Sequence, residues 1–327
     1  MKYIKKKIIR GQEYYYFEYY LGLKEQKTYT KYLGKELPSN LREQMQHFFE
    51  AIASLTAHNL NGSSYFLNEY AEAIEKAKFK YIMLNHELFE KEKHLFKTLF
   101  YILFVLNSNR SEGSEVTRED IEKIMTSKIK PKTTIDKEIV NSVAAINFAF
   151  SGEMKWNIKS IKHIHHTLFW DLHPVIAGKF KKVNNIVGNS TTSWKEVPQE
   201  MKKLLKWFHN NKKTMYPAQL ALEFHWRFEA IHPFQDGNGR VGRILLNSFL
   251  VQQGYAPVIY FTENHTAYCH AISKAVSGRT QQLAQHYTLS IRKTEKAIEQ
   301  YGKTGIIQGG SPKIGKWEIQ NGKIRIK

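Results

Sequence analysis

One cysteine, Cys269, stands in a chain of 327 residues. No disulfide can form within the chain, and such sparing use fits a reducing compartment, read here as cytoplasmic. No run of about 18 apolar residues occurs, the length a membrane helix needs. The nearest, Leu95 to Leu106, is too short and carries Lys97, so no membrane partner is expected. The basic opening MKYIKKKIIRG leads into no apolar signal core with a small-residue cleavage site. There is no fixed-period repeat and no low-complexity tract. Acids are also scarce: 30 Asp and Glu face 49 Lys and Arg, a formal net charge of +19.

That excess sits at the ends. Residues 1–38 carry nine basic and four acidic side chains, and residues 291–327 carry nine and three, so 5 and 6 of the 19 net charges are terminal. It serves either a polyanionic partner (nucleic acid, nucleotide, acidic protein or anionic lipid) or plain solubility. With 42% hydrophobic residues, the chain can bury one large core or two modest ones.

Three tyrosine- and isoleucine-rich runs, YIKKKII, EYYYFEYY and TYTKYLG, are separated by turn residues such as Arg10-Gly11-Gln12 and predict strands. Near the other end, Asn321-Gly322 divides Trp317 and Ile319 from Ile324 and Ile326, a hairpin signal. Both ends are expected to share one small sheet. Between them the periodicity predicts helices from Pro38 toward His58, over Glu69 to Lys80 and Leu95 to Asn107, and from a cap at Thr117. Further helices are predicted at about 136–151, 158–172, 198–210, 217–230, 240–253, 264–276 and 280–300. The fold class is mainly α, with β-rich segments at both termini.

The densest chemistry lies in HPFQDGNGR, residues 232–240, joining two amphipathic helices. A glycine-bearing loop at a helix N-terminus leaves backbone N–H groups unpaired at the positive end of the dipole, an anion site. Gly237 and Gly239 permit a tight backbone close to phosphates. Arg240 and Arg243, one helical turn apart, can both reach a polyphosphate. Asp236 beside phosphates is a usual way to hold Mg²⁺. His232 can accept a hydroxyl proton near neutral pH. In isolation each residue is ordinary; together they point to attack on phosphorus.

HPFQDGNGRVGR resembles the signature of the Fic family, His-Pro-Phe-x-(Asp/Glu)-Gly-Asn-Gly-Arg-x-x-Arg, at every specified position, and weaker matches extend over roughly residues 100–290. The resemblance implies an all-helical core with a short β-hairpin flap. It also implies a protein adenylyltransferase that moves AMP from ATP to a Ser, Thr or Tyr hydroxyl of a target protein. His232 then stands as the general base and Asp236 as the Mg²⁺ ligand. Gly237, Asn238 and Gly239 form the anion nest, Arg240 contacts the β-phosphate and Arg243 meets the γ-phosphate.

Upstream, SNRSEG (108–113) ends an apolar helix in polar residues and a glycine, as helix ends do. It is also similar to the family's inhibitory motif, (Ser/Thr)-x-x-x-Glu-(Gly/Asn), with Ser108, Glu112 and Gly113 at its fixed positions and Ser111 where an aliphatic residue is common. Glu112 paired with Arg243 would occupy the arginine meant for ATP. The histidines 163–166 (HIHH) with His173 lack the closed spacing of a zinc site; His165 resembles a structural histidine of the family core. Phe180 to Ser190 resembles the flap, with Lys181 where the family often has arginine. Tyr268 and Ala271 resemble the adenine-side wall, although the arginine that often opens that helix is absent.

The expected organisation is a basic β-rich segment (1–38), a helical region with the inhibitory helix (39–126), a catalytic core (127–290) and a basic helix end with hairpin (291–327). The expected activity is autoinhibited, ATP- and Mg²⁺-dependent protein adenylylation. Left open are removal of AMP, transfer of another nucleotide or phosphate group, and a nucleic-acid-binding role for the termini. A homo-oligomer is left open too.

Overall fold

The structure, a computed structural model, describes residues 3–21, 27–60, 65–85, 90–126, 130–187, 189–303, 317–320 and 323–326. The chain divides into two compact units, Met1–His94 with Gly254–Ala256, and Leu95–Gln253 with Pro257–Lys327.

The first unit opens with an antiparallel sheet of β1 (Ile4–Ile9), β2 (Gln12–Leu21) and β3 (Lys27–Gly34), in that order. Arg10 (φ 51°) and Gly11 (φ 79°) make the two-residue turn that sets Ile9 opposite Gln12, both left-handed as the twist of a tight hairpin demands. Strand alternation sends Ile4, Phe17 and Leu33 to one face, where they are buried with Met45, Phe49 and Ile52 of α1 (Leu41–Asn59) and Phe79 of α2 (Asn68–Leu84). Phe49 and Phe79 stack at 4.7 Å. Each such ring, fully buried, contributes about 1.5–3 kcal/mol of transfer energy.

The second unit is helical: α3 (Glu90–Arg110, whose first residues belong to the first unit), α4 (Arg118–Thr126), α5 (Thr134–Phe150), α6 (Ile158–Phe169), α7 (Val197–Asn211), α8 (Pro217–Ile231), α9 (Asn238–Gln252), α10 (His265–Val276) and α11 (Gln281–Lys303). With α1 and α2 that makes eleven α-helices among the described residues. Thr133 and Asp136 cap α5 reciprocally, and Thr117 and Asp120 do the same for α4. Pro217 opens α8. Nearly every residue of α9 from Asn238 to Leu250 is buried, the pattern of a helix surrounded on all sides; it packs against α8, α5 and α6.

β4 (Ile186–Val187) and β5 (Asn189–Ser190) form a minimal antiparallel ribbon where the flap was expected. β6 (Trp317–Gln320) and β7 (Lys323–Ile326) pair with Trp317 opposite Ile326 and Ile319 opposite Ile324, the register the sequence predicts; the Asn321-Gly322 turn lies outside the described residues. One expectation fails. The ends do not share a sheet: β1–β2–β3 and β6–β7 are separate. A short turn brings a strand to its own neighbour at far smaller loop-closure cost than a partner some 300 residues away. Among the described residues no helix is long and apolar enough to cross a membrane.

Candidate active site

α8 stops where Pro233 forbids continuation. His232 takes the left-handed C-cap conformation (φ 52°, ψ 62°), its N–H still bonded to the Phe228 carbonyl at 2.9 Å. A bulky residue held there stores strain that its surroundings must offset. The bend turns the imidazole so that Nδ1 lies 3.3 Å from the Glu229 carbonyl. With Nδ1–H donating to that oxygen, Nε2 keeps its lone pair. Burial pushes the His232 pKa down, against partial opposition from that hydrogen bond, so the ring is a free base at neutral pH.

The loop beyond is braced from within. The Asn238 side chain accepts from Phe234 N–H and donates to the Phe234 carbonyl, both at 2.8 Å. Asn238 is thus spent on shape, and only its backbone is available to an anion. His165 locks the loop from behind: its Nδ1 accepts from Gly178 N–H (2.9 Å), its Nε2–H donates to the Asp236 carbonyl (3.1 Å), and its ring stacks on Phe234 at 3.9 Å. Burial lowers its pKa to about 4, which keeps it neutral and fixes that tautomer. No group of three His, Cys, Asp or Glu able to hold a metal exists among the described residues.

Gly237 (φ 75°) caps α9, and a β-carbon there would run into the Phe169 ring. The Asp236 carboxylate is 52% exposed; one oxygen accepts from Gly237 N–H and the other is 3.6 Å from Arg240. An open carboxylate beside a helix N-terminus fits Mg²⁺ whose remaining ligands are phosphate and water. Arg240 is buried with its guanidinium 4.6 Å over Phe169.

Arg243, 2% exposed, is engaged through Nε and one terminal nitrogen. Its Nε donates to Ser108 Oγ (3.1 Å), and one terminal nitrogen donates to the Ser108 carbonyl (2.9 Å) and Glu112 Oε1 (2.7 Å). Ser108 is in the last turn of α3; Glu112 follows in the turn that Gly113 (φ 87°) closes. Gly113 itself makes no contact with Arg243 among those described. A side chain on Gly239 would strike Glu112, so the glycine makes room for this ion pair. Burial pushes the Glu112 carboxyl up, but the charge and hydrogen bond of Arg243, aided by Arg240 and His265, outweigh it and hold it below its ordinary range.

Glu112, His232, Gly239, Arg243 and Tyr268 line one cavity of about 300 Å³. Tyr268, on α10, is 4% exposed and donates its hydroxyl to His225 Nε2 at 2.6 Å; burial lowers the His225 pKa to about 3. Ser108, Gly113, Asp236, Gly237, Asn238 and Arg240 do not line that cavity, and Ala271 is buried in α10. Lys181 is buried at the foot of the ribbon, its ammonium on Asn185 (2.7 Å) and Thr191 (2.9 Å) and its N–H on the Pro233 carbonyl. It joins ribbon to loop.

Sequence reasoning missed Thr191, Ala230 and, on α10, His265, Cys269, Ile272, Ser273 and Val276 in the wall, the last five a stripe at helical spacing. It also missed Glu229. Burial pushes that carboxyl up to about 8, against the pull of Arg243, so it is protonated at neutral pH. Its Oε1 has no hydrogen-bond partner among the described residues.

The Fic/DOC family model matches residues 155–250. Protein adenylyltransferase Fic of Drosophila ananassae is 30% identical over 135 residues, covering 41% of this chain and 27% of the relative. Protein adenylyltransferase fic-1 of Caenorhabditis elegans is 26% identical over 228 residues, covering 65% and 45%. The chain thus spans about a quarter to about a half of the curated relatives it matches. Among solved structures, a Fic-domain signalling protein from Bacteroides thetaiotaomicron superposes with a TM-score of 0.61 at 22% identity, over 73% of this chain and all of that one. Fic-1 of C. elegans gives 0.59 at 19%, over 81% and 86%. These likenesses fix the fold.

Proposed function

From a chain that carries a Fic/DOC family domain, we propose an enzyme that transfers AMP from ATP to a hydroxyl of a target protein, held inactive by its own Glu112. The observation that supports it is the convergence of a neutral His232, a glycine-lined helix N-terminus and Arg243 on one cavity. The triphosphate lies along the start of α9, where the Asn238 backbone and Gly239 offer N–H groups, Gly237 keeps the bend tight with its own N–H on Asp236, and Arg240 adds charge for the β-phosphate. Asp236 would hold Mg²⁺, which neutralises phosphate charge when bound. The acceptor O–H gives its proton to His232 Nε2, its oxygen bonds to the α-phosphorus, the α–β anhydride breaks and pyrophosphate leaves. Tyr268 and the α10 stripe wall the nucleoside side.

Glu112 restrains this chemistry by electrostatics. Arg243 is the cation placed for the γ-phosphate, and the Glu112 carboxylate already holds it. Nucleotide must either displace that carboxylate or bind in a pose unsuited to in-line attack. The test is Glu112→Gly incubated with ATP labelled at the α or the γ position. Label retained on protein from the α position alone is expected. Label from γ alone means phosphotransfer, and none from either position defeats the proposal.

Glu112 also lines the cavity with its side chain 22% exposed, which favours a second role: orienting a water that removes AMP. Adding unlabelled parent protein to self-modified Glu112→Gly reads it out directly, since loss of label requires the carboxylate.

A further inference from the structure

An antiparallel sheet with one face on a core is expected to alternate apolar inward with polar outward. The N-terminal sheet obeys on its inner face and departs from the rule on the other. Tyr14, Tyr16 and Tyr20 of β2 and Tyr32 of β3 alternate with the buried Phe17, Leu21 and Leu33 and so point away from the core, with Tyr20 58% and Tyr32 53% exposed. The register sets Tyr16 between Lys5 and Tyr32, and Tyr14 opposite Lys7. The Tyr32 ring is 5.3 Å from Tyr16 and 6.2 Å from Tyr14, each tilted by about 50° or less. The Lys7 ammonium lies 4.9 Å from the Tyr16 ring centroid and 3.3 Å from Glu18. Exposed Thr28 and Thr30 line the far strand and exposed Arg10 the turn.

We propose that this face binds single-stranded nucleic acid, with bases stacked on Tyr16, Tyr20 and Tyr32 and phosphates running past Lys5, Lys7 and Arg10. Every base has a π-face, so a row of tyrosine rings on a rigid sheet accepts any sequence. A duplex hides those base faces and leaves the rings nothing to stack on. Lysines and threonine hydroxyls are ordinary phosphate contacts, and the +5 balance of residues 1–38 favours a polyanion over a neutral partner. The inner face, anchored by Phe17 on α1 and α2, holds the platform without using any outer side chain. The site is independent of the chemistry at His232.

The experiment uses the full chain and fluorescein-labelled oligo-dT and oligo-U of about 12 nucleotides, within the range one such platform covers. Anisotropy is read at several salt concentrations, with a duplex of equal length beside them. Tyr16→Thr and Tyr32→Thr keep strand propensity and are expected to weaken single-strand binding about tenfold each, with the salt slope unchanged. Lys5→Ala with Lys7→Ala is expected to make the log–log salt slope shallower by about 0.7 for each lysine–phosphate pairing removed. Circular dichroism of each variant establishes that the fold is kept. No single-strand binding at low salt overturns the proposal. So does duplex binding of equal strength that ignores the tyrosines, which would be charge alone. A parent that sediments as a dimer, becomes monomeric in the tyrosine variants and binds no oligonucleotide would assign the face to a second copy of the chain and equally overturn it.

Discussion

The outer face of the N-terminal sheet and the loop between α8 and α9 both offer themselves to phosphorylated ligands, by opposite means. The sheet presents side chains, tyrosine rings and lysines, on strands held in register by its ladder. The loop commits several of its side chains elsewhere, Asn238 to Phe234 and Arg243 to Ser108 and Glu112, and sets Gly239 at a helix start beside His232 on the cavity wall. The first arrangement suits a long, repetitive polyanion that slides. The second suits one triphosphate held in one pose, because N–H groups fixed by the helix cannot move to follow a misplaced phosphate.

If the two regions are independent, variants should separate their activities. The largest effect is expected for His232→Ala built on Glu112→Gly: AMP transfer falls by about 10²–10⁴-fold, while oligonucleotide anisotropy stays at the parent value. Gly237→Ala comes next. Its left-handed backbone and the Phe169 ring behind it predict a loss of about 1–3 kcal/mol in urea unfolding, with transfer lost along with loop geometry. Glu112→Gly alone is expected to raise transfer about tenfold or more, near 1.4 kcal/mol of barrier, and no rise would remove the autoinhibitory reading.

A pH effect sharpens the comparison from inside the cavity. Glu229 is raised to about 8 by burial, so the folded state keeps a proton that the unfolded chain releases near the ordinary carboxylate range. Between those limits the folded protein binds more protons, and its stability falls as pH rises. Glu229→Gln should therefore lose less stability than the parent between about pH 5 and pH 8. Denaturation midpoints across that window check it; parallel pH profiles would mean Glu229 is ionised in the folded protein.

Much of this was legible in the order of residues alone. Helices α8 and α9 were readable from Leu220, Phe224 and Phe228, from Ile244 and Phe249, and from Pro217 and Gly254 at their ends, since period and caps are local. The loop was readable because its glycines, acid and arginines are contiguous. Glu112 was readable only through a resemblance, because a separation of 131 positions from Arg243 carries no spacing signal. Glu229 was not readable at all: an acid on a helix is normally a solvated one, and the close approach of α9 at Gly242 is what buries its Oε1.

The sequence by itself determined where the chain turns, which helices form and where backbone N–H groups are left over, because those depend on neighbours within about four residues. Only the tertiary structure decided which acid carries charge. Glu112 and Glu229 border the same cavity, yet one is held ionised against a guanidinium and the other is kept protonated by burial. Protonation answers to what surrounds a group in three dimensions, and residues distant in the chain supply those surroundings.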